Sequence, residues 1–307
     1  MKKLMPFFLS CLLLFGCGAG EENLGTTYVD DLGRKVSIDV APRRVASLLG
    51  SFSDLWVLAG GELVASADDA WDDFGLELDA VNLGRTKSPS LEKLLESDPD
   101  LVLASTNTQG DLDLMPTLEG ARIPVLYLNV SNFQDYLRVL DLFTQITGEP
   151  DRYETYGTAL QSRIEECIGR CKTAFGENPP KVLFLRASAS SIRAKNSKGN
   201  VTGEMLADLG CVNIADSEAT LLENLSLEQI LLQDPDHIFF VQSGDDTEGT
   251  KDAIEGFFAE NPGWQELTAV KTGKVHFLDK RLFNLKPNAY WADAYEHLEG
   301  ILCENLE

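Results

Sequence analysis

Seven basic side chains stand out in an otherwise acidic chain: Arg85, Lys87, Arg186, Arg193, Lys195, Arg281 and Lys286. Each lies in a segment that follows a strand-like apolar run. In parallel α/β sheets, ligands bind outside the carboxyl ends of the strands, where such segments lie. Guanidinium and ammonium groups gathered there would hold an anion through charge-assisted hydrogen bonds. Phe52, Trp71 and Phe283 occupy the same class of segment and could wall the apolar part of a ligand. The acids Asp68, Asp69, Asp72, Asp73, Asp245 and Asp246 share these segments, so the net sign of a cleft stays open. Taken singly, each base also fits a solvated loop, and each aromatic also fits packing beneath one.

Other chemistries have less support. The sequence holds no G-x-S-x-G, no P-loop and no G-x-G-x-x-G, so the motifs of common hydrolases and nucleotide enzymes are missing. An enzyme on a bilobal α/β scaffold is the minor alternative, because fold alone does not exclude it. Only His237, His276 and His297 are available as imidazole ligands, and His237 and His276 sit in strand-like runs. A directly bound metal ion is therefore not expected. The net charge of −23 opposes nucleic acid binding.

The elements that must position these groups alternate between strand and helix. Apolar runs at 45–49, 63–67, 101–104 and 125–128 read as strands, and helical patterns cover 53–59, 91–97 and 133–147. Ser53 is the expected N-cap of the first of these helices. Two short strands, 28–29 and 35–38, flank a turn at Asp31-Leu32-Gly33. From Pro150 to Phe175, apolar residues recur at helical spacing without an internal proline, which predicts one long helix. A second series follows: strands at 182–185, 212–215, 238–241 and 274–278, and helices at 203–209, 227–232 and 289–305. The fold class is α/β, with two similar lobes of mainly parallel sheet joined by one long rigid helix. The expected boundaries are 28–149 for the N-terminal lobe, 150–175 for the linking helix and 176–307 for the C-terminal lobe.

Cys167 and Cys171 are four apart on the linking helix, where Cβ atoms are about 5–6 Å apart. A disulfide wants roughly 3.5–4.5 Å. These two are not expected to pair with each other, and the state of Cys167, Cys171, Cys211 and Cys303 is left open.

The first residues read as a leader. Lys2 and Lys3 precede the apolar run 4–15, which is too short to span a bilayer. The run ends in "LFGC", which resembles a lipoprotein box with Cys17 as the acylated residue; Phe15 departs from the small residue usual in that slot. Residues 1–17 are then a lipoprotein signal, with a plain cleaved signal as the alternative, and 18–27 a polar tether. The implied location is the outer face of the cytoplasmic membrane.

One sentence of sequence occurs twice. With an offset of 136, Ser90 to Ala104 aligns with Ser226 to Phe240, and "SLE", Leu95/Leu231 and "DPD" are identical. Each copy has a serine N-cap, a first-turn glutamate (Glu92, Glu228) and an Asp-Pro stop before a strand. Taken by themselves, Glu92 and Glu228 also fit as first-turn acids that need no further function. The whole set, "VDDLGRKVSIDVAPRRVASL", "SLEKLLESDPDLVLA", "IPVLYLNVSNFQDYLRVLDLFTQITG", the long helix and "LSLEQILLQDPDHIFFV", resembles the substrate-binding proteins of ABC importers for iron–siderophores, haem and cobalamin. The resemblance implies a ligand cleft between two lobes and no catalysis. It also implies a permease dimer with its ATPase subunits as partner, and a monomeric protein without a resident cofactor. The implied ligand is a metal chelate such as a ferric siderophore, with haem, cobalamin or an oxyanion as alternatives. It gives Glu92 and Glu228 the role of permease-docking residues, one per lobe.

Overall fold

Runs of apolar residues long enough to be buried on both faces become the centres of two parallel sheets. The structure is a computed structural model and describes residues 26–38, 42–217, 221–222 and 225–303. The expected signal, the tether and Cys17 lie outside the described residues. Among the described residues, no helix is long and apolar enough to cross a membrane.

Strands β1 (Thr26–Val29) and β2 (Lys35–Ile38) form an antiparallel hairpin. The N-terminal lobe then runs β3 (Val45–Ser47), α1 (Gly50–Leu58), β4 (Leu63–Ser66), α2 (Asp69–Asp72), β5 (Val81–Asn82) and α3 (Leu91–Glu96). It continues through β6 (Leu101–Ser105), α4 (Gln109–Gly120), β7 (Val125–Leu128) and α5 (Phe133–Thr147). Its sheet order is β5-β4-β3-β6-β7, with every pairing parallel. β3, β6 and β7 are buried at every position. The helix expected from Ser53 starts at Gly50 instead. Ser53 does not cap it; its hydroxyl bonds the Leu49 carbonyl at 3.2 Å and pairs with Ser66 Oγ at 2.6 Å.

The linking helix consists of α6 (Pro150–Tyr153), a π-helical turn at Glu154–Thr158, and α7 (Ala159–Phe175). A π turn releases backbone carbonyls from the helical ladder. Here Tyr136 Oη donates to the Tyr156 carbonyl at 2.8 Å, tying the turn to α5.

The C-terminal lobe contains β8 (Lys181–Ser188), β9 (Ser191–Lys195), α8 (Val201–Asp208), β10 (Val212–Asn213) and α9 (Leu227–Gln233). β11 (His237–Gln242), α10 (Thr247–Glu260), α11 (Thr268–Lys271), β12 (Val275–Leu278), α12 (Lys280–Phe283) and α13 (Trp291–Cys303) complete it. Its sheet order is β10-β8-β11-β12, the same path as β4-β3-β6-β7 in the first lobe. The repeat is therefore topological as well as sequential. In both copies the aspartate before proline adopts a left-handed backbone, with φ 47° at Asp98 and 44° at Asp234. The second aspartate of each "DPD" anchors the start of the lobe's first strand: Asp100 N–H donates to the Arg44 carbonyl, and Asp236 N–H to the Lys181 carbonyl.

Two features depart from the sequence reading. Of residues 186–200, expected as a loop, 186–188 extend β8 and 191–195 fold back as β9, which pairs antiparallel with it, while 196–200 stay outside any strand. The terminal helix is also a second strut. Trp291, fully buried, packs on Phe133 and Tyr136 of the N-terminal lobe at ring distances of 5.8 and 6.1 Å. One turn later, Tyr295 Oη donates to Asp208 of α8 in the other lobe at 2.6 Å. Contacts then advance in step along α7: Arg163 with Asp293 and Glu296 at 2.8 and 2.7 Å, then Arg170 with Glu299 at 2.7 Å. α7 and α13 thus run parallel, and the chain passes between the lobes three times.

Candidate ligand cleft between the lobes

Residues at the carboxyl ends of the strands of both lobes face each other across a cleft. One cavity, of about 310 Å³, is lined by Asn107, Val130 and Ser131 from the first lobe. Phe184, Arg186, Asn200, Phe283, Asn284 and Lys286 line it from the second. A second cavity, of about 600 Å³, is lined mainly by acids around one cation: Asp72 and Asp73 from one lobe, and Asp245, Asp279 and Lys280 from the other.

The hairpin of β8 and β9 explains how cations reach the first cavity. Side chains alternate across a strand, and residues directly opposite in an antiparallel pair share a face. Phe184 is opposite Lys195, and Arg186 is opposite Arg193. All four therefore project from one face, the face on which Phe184 and Arg186 line the cavity. Arg186 is half-buried and hydrogen-bonds Asn284. Burial makes its charge costly, and the same cause lowers the Lys195 pKa, with the charges of Arg186 and Arg193 adding to it. Lys286 completes the group. Burial depresses its pKa, Arg186 adds to the effect, and Asp69 across the cleft opposes it. A set of partly desolvated cations facing one space is the arrangement that favours a bound anion.

Asp69 is the acid facing them. Its Oδ1 accepts from Gly50 N–H at 2.8 Å. Burial nonetheless pushes its pKa up to about 7, the Gly50 bond opposes this, and the charges of Asp73 and Asp68 reinforce it. Gly50 is required at that contact, since a Cβ there would lie 2.6 Å from the Ala70 backbone nitrogen.

The remaining expected residues are distributed differently. Arg193, in the middle of β9, is exposed and does not line the cavity. Arg85 and Lys87 are exposed near Asp245, whose carboxylate is held below its usual range first by Lys280 and then in part by them. They flank the acidic cavity and do not line the first one. Trp71 is half-buried on α2 and lines neither cavity. Phe52 is 1% exposed and belongs to the core of the first lobe, with Lys286 Nζ 6.0 Å from its ring centre. Phe283, though 2% exposed, does form part of the cavity wall.

Arg281 is committed to the seam between the lobes. Its guanidinium donates to Asp54 Oδ2 at 3.1 Å and to the Lys286 carbonyl at 2.8 Å, and stacks over the Phe74 ring at 4.2 Å. Asn288, buried and left-handed at φ 54°, donates to the Ser51 carbonyl and to Asp54 at 2.8 and 2.9 Å. A second cross-lobe contact is Lys280, which donates to Asp73 at 2.8 Å and to Asp245 at 2.7 Å. Burial works against the Lys280 charge, but these two bonds outweigh it and raise its pKa.

Reasoning from the sequence missed Asp54, Asn284 and Asn288, and treated Asp69 only as a counter-charge. The pattern "LFNLKPNAYW" held a usable signal: polar residues at 284, 286 and 288 interrupt an otherwise apolar approach to the terminal helix.

His237 and His276 lie on neighbouring strands with Nδ1 and Nε2 3.1 Å apart. Burial drives the His237 pKa down to about 4, which favours the neutral imidazole. Among the described residues no group of three or more His, Cys, Asp or Glu is arranged to hold a metal ion.

Comparison with known proteins agrees with this architecture. The chain is 25% identical over 290 residues to the Fe(3+)-citrate-binding protein YfmC of Bacillus subtilis, covering 89% of this chain and 87% of that protein. It is 23% identical over 302 residues to the iron(3+)-hydroxamate-binding protein FhuD of the same species, covering 91% and 90%. Among solved structures, Staphylococcus aureus SirA complexed with staphyloferrin B superposes with a TM-score of 0.69 at 23% identity, over 92% of this chain and 98% of that one. S. aureus IsdE complexed with heme gives 0.68 at 16% identity, over 84% and 98%. The family model described as periplasmic binding protein matches residues 45–282, which include both parallel sheets and the linking helix and stop just short of Phe283, Asn284 and Lys286 of the cavity wall. The chain therefore belongs to the periplasmic binding protein family, whose members bind substrates and are not enzymes.

Proposed function

We propose that this protein captures an anionic ferric chelate, of the siderophore or citrate class, outside the cytoplasmic membrane and delivers it to an ABC importer. The observation that carries the reading is the pair Arg186 and Lys286 lining the C-terminal side of the cleft, with Lys195 on the same hairpin face behind the lining. Cations desolvated without a matching set of acids are expensive unless a ligand supplies the negative charge. Arg193, Arg85 and Lys87 stand further out and would attract such a ligand rather than seat it. The names of relatives that bind ferric citrate and ferric hydroxamate support the iron chelate over the other ligands of the family.

Delivery requires a partner that recognises both lobes. Glu92 and Glu228 are exposed, each in the first turn of a serine-capped helix, at matching places in the two lobes. Beside them, Leu95 and Leu231 are exposed to matching degrees, 40% and 37%. A pair of equivalent patches suits a partner that is itself two-fold, such as a permease dimer with its ATPase subunits. In this reading the chain acts as a monomer held to the membrane through Cys17.

Calorimetry of the mature protein with ferric citrate, a ferric hydroxamate, haem, cobalamin and molybdate tests the ligand class. Saturable binding of a ferric chelate that weakens with added salt is the expected result. Tight binding of cobalamin alone, or chemical turnover of any of these compounds, would overturn the reading.

A further inference from the structure

All four cysteines of the described fold gather where the two struts end in the C-terminal lobe. Cys167 and Cys171 lie on α7, Cys303 closes α13, and Cys211 precedes β10. Cys171 Sγ and Cys303 Sγ are 3.6 Å apart, although 132 residues separate them in the chain. Cys167 is otherwise engaged: its thiol accepts from Arg170 Nη2 at 3.3 Å and is hydrogen-bonded to Glu299. Cys211 is within electrostatic reach of Cys303.

The environments of the two thiols differ in a useful way. Cys171 is fully buried, whereas Cys303 is half-exposed on the last turn of the terminal helix. The ion pairs Arg163–Glu296 and Arg170–Glu299 hold α13 parallel to α7 and in register with it. That register, rather than chance approach of a loose terminus, brings the two sulfurs together. Helix ends fray unless tied down, and a covalent link at Cys303 would tie the last turn of this one.

We propose that Cys171 and Cys303 form a disulfide in the exported protein, closing the two parallel struts covalently at their C-terminal-lobe end. The inference rests on the extracytoplasmic placement in the reading above, since disulfides persist in oxidising compartments. The oxidant is a thiol–disulfide oxidant, either a protein or a small-molecule disulfide. The thiolate of half-exposed Cys303 attacks one sulfur of that disulfide and expels the other as a thiolate. The Cys171 thiolate then attacks Cys303 Sγ and expels the second. One S–S bond forms in the protein, one is lost from the oxidant, and the two thiol protons and two electrons leave with the two thiols released. Buried Cys171 holds its proton tightly, first because of desolvation and then because of its bond to Cys303. The second step is therefore slow and intramolecular.

The consequence is mechanical. The loop closed by this bond contains the whole C-terminal lobe, so the bond constrains the unfolded chain strongly and removes fraying of α13. It crosses no part of the cleft and leaves ligand contacts untouched.

The test uses the full chain exported by a bacterial host, alkylated before lysis and mapped by non-reducing proteolysis and mass spectrometry. The expected product is a cross-linked peptide pair containing Cys171 and Cys303, with Cys167 and Cys211 alkylated. Heat unfolding provides a second readout. Reductant is expected to lower the midpoint of the native protein by about 5–10 °C. It should leave Cys303→Ser unmoved and lower Cys211→Ser as in the native protein. Four alkylated thiols in protein recovered from the membrane exterior would overturn the proposal, as would a Cys211–Cys303 cross-link. Protein found only in the cytoplasm would instead refute the placement; purified protein in a glutathione redox buffer then decides the disulfide by the same peptide map.

Discussion

Arg281 of the C-terminal lobe and Asp54 of the N-terminal lobe meet at 3.1 Å, 227 residues apart in sequence, with both side chains mostly buried. Burial raises the Asp54 pKa, while the bond from Asn288 and the charge of Arg281 work to keep it ionised. Arg281→Ala leaves that carboxylate without its cation in the seam. Because about a fifth of Arg281 remains wet, the expected loss is about 2–3 kcal/mol, below the roughly 3–5 kcal/mol of a fully buried pair. Urea unfolding measures it. Asp54→Asn with Arg281→Ala should recover part of the loss, and no recovery would mean the two residues act independently.

The aromatic cluster of Trp291 with Phe133 and Tyr136 carries the second strut into the first lobe. Trp291→Ala is expected to cost about 3–5 kcal/mol. Hydrogen exchange should show opening of α13 near residue 291 and of the facing side of α5 together. Exchange confined to α13 would show that the helix docks without bracing the lobe.

In the cleft, Arg186→Ala and Lys195→Ala are each expected to weaken ferric citrate binding by roughly tenfold or more, the scale of a lost charge-assisted hydrogen bond. The dependence of affinity on ionic strength should fall in both. Arg85→Ala and Lys87→Ala should change the association rate and its salt dependence, with little effect on dissociation. Stopped-flow measurements separate the two classes. If the rim variants dissociate faster than the wall variants, the assignment of seat and rim is reversed.

Asp69 gives the cleft a pH dependence with a definite sign. Its folded pKa of about 7 lies above the roughly 3.9 of an unfolded aspartate. The folded state therefore holds an extra proton between those values, and stability falls as pH rises from about 4 to about 7. Across the upper part of that range the carboxyl ionises beside Lys286, with Asp68, Asp73 and Asp111 nearby, so an anionic ligand loses attraction. Ferric citrate should bind several-fold more tightly at pH 6 than at pH 8, and Asp69→Asn should flatten the profile. Asp111 also titrates near 7, so a small residual slope is expected in the variant. An unchanged slope would remove Asp69 from the site.

For delivery, Glu92→Ala combined with Glu228→Ala should abolish stimulation of the importer's ATPase while ligand affinity stays unchanged. The two side chains are exposed and line neither cavity, so their loss should alter stability by no more than about 0.5 kcal/mol. Normal stimulation by the double variant would reduce both to helix-start acids.

Local signals sufficed for much of this protein. Hydrophobic runs and helical periodicity act between neighbours, so they specified the strands at 45, 101, 125 and 238, the helix at 133–147 and the repeated "SLE…DPD" unit from the sequence itself. The two lobes and the cleft at their strand ends follow from that pattern and from the handedness of parallel sheets. What remained depends on partners distant along the chain. The extension of β8 into a hairpin is decided by backbone pairing with β9, and that pairing, not loop composition, turns Arg186, Arg193 and Lys195 to one face. Arg281 carries the same charge as Arg186, yet one is fixed in the seam by Asp54 and the other lines the cavity. The terminal helix became a strut, and Cys171 met Cys303, because ion pairs along α7 set the register of α13. Residue type supplied the chemistry; only the packing of the lobes determined which groups are buried together and which remain in water.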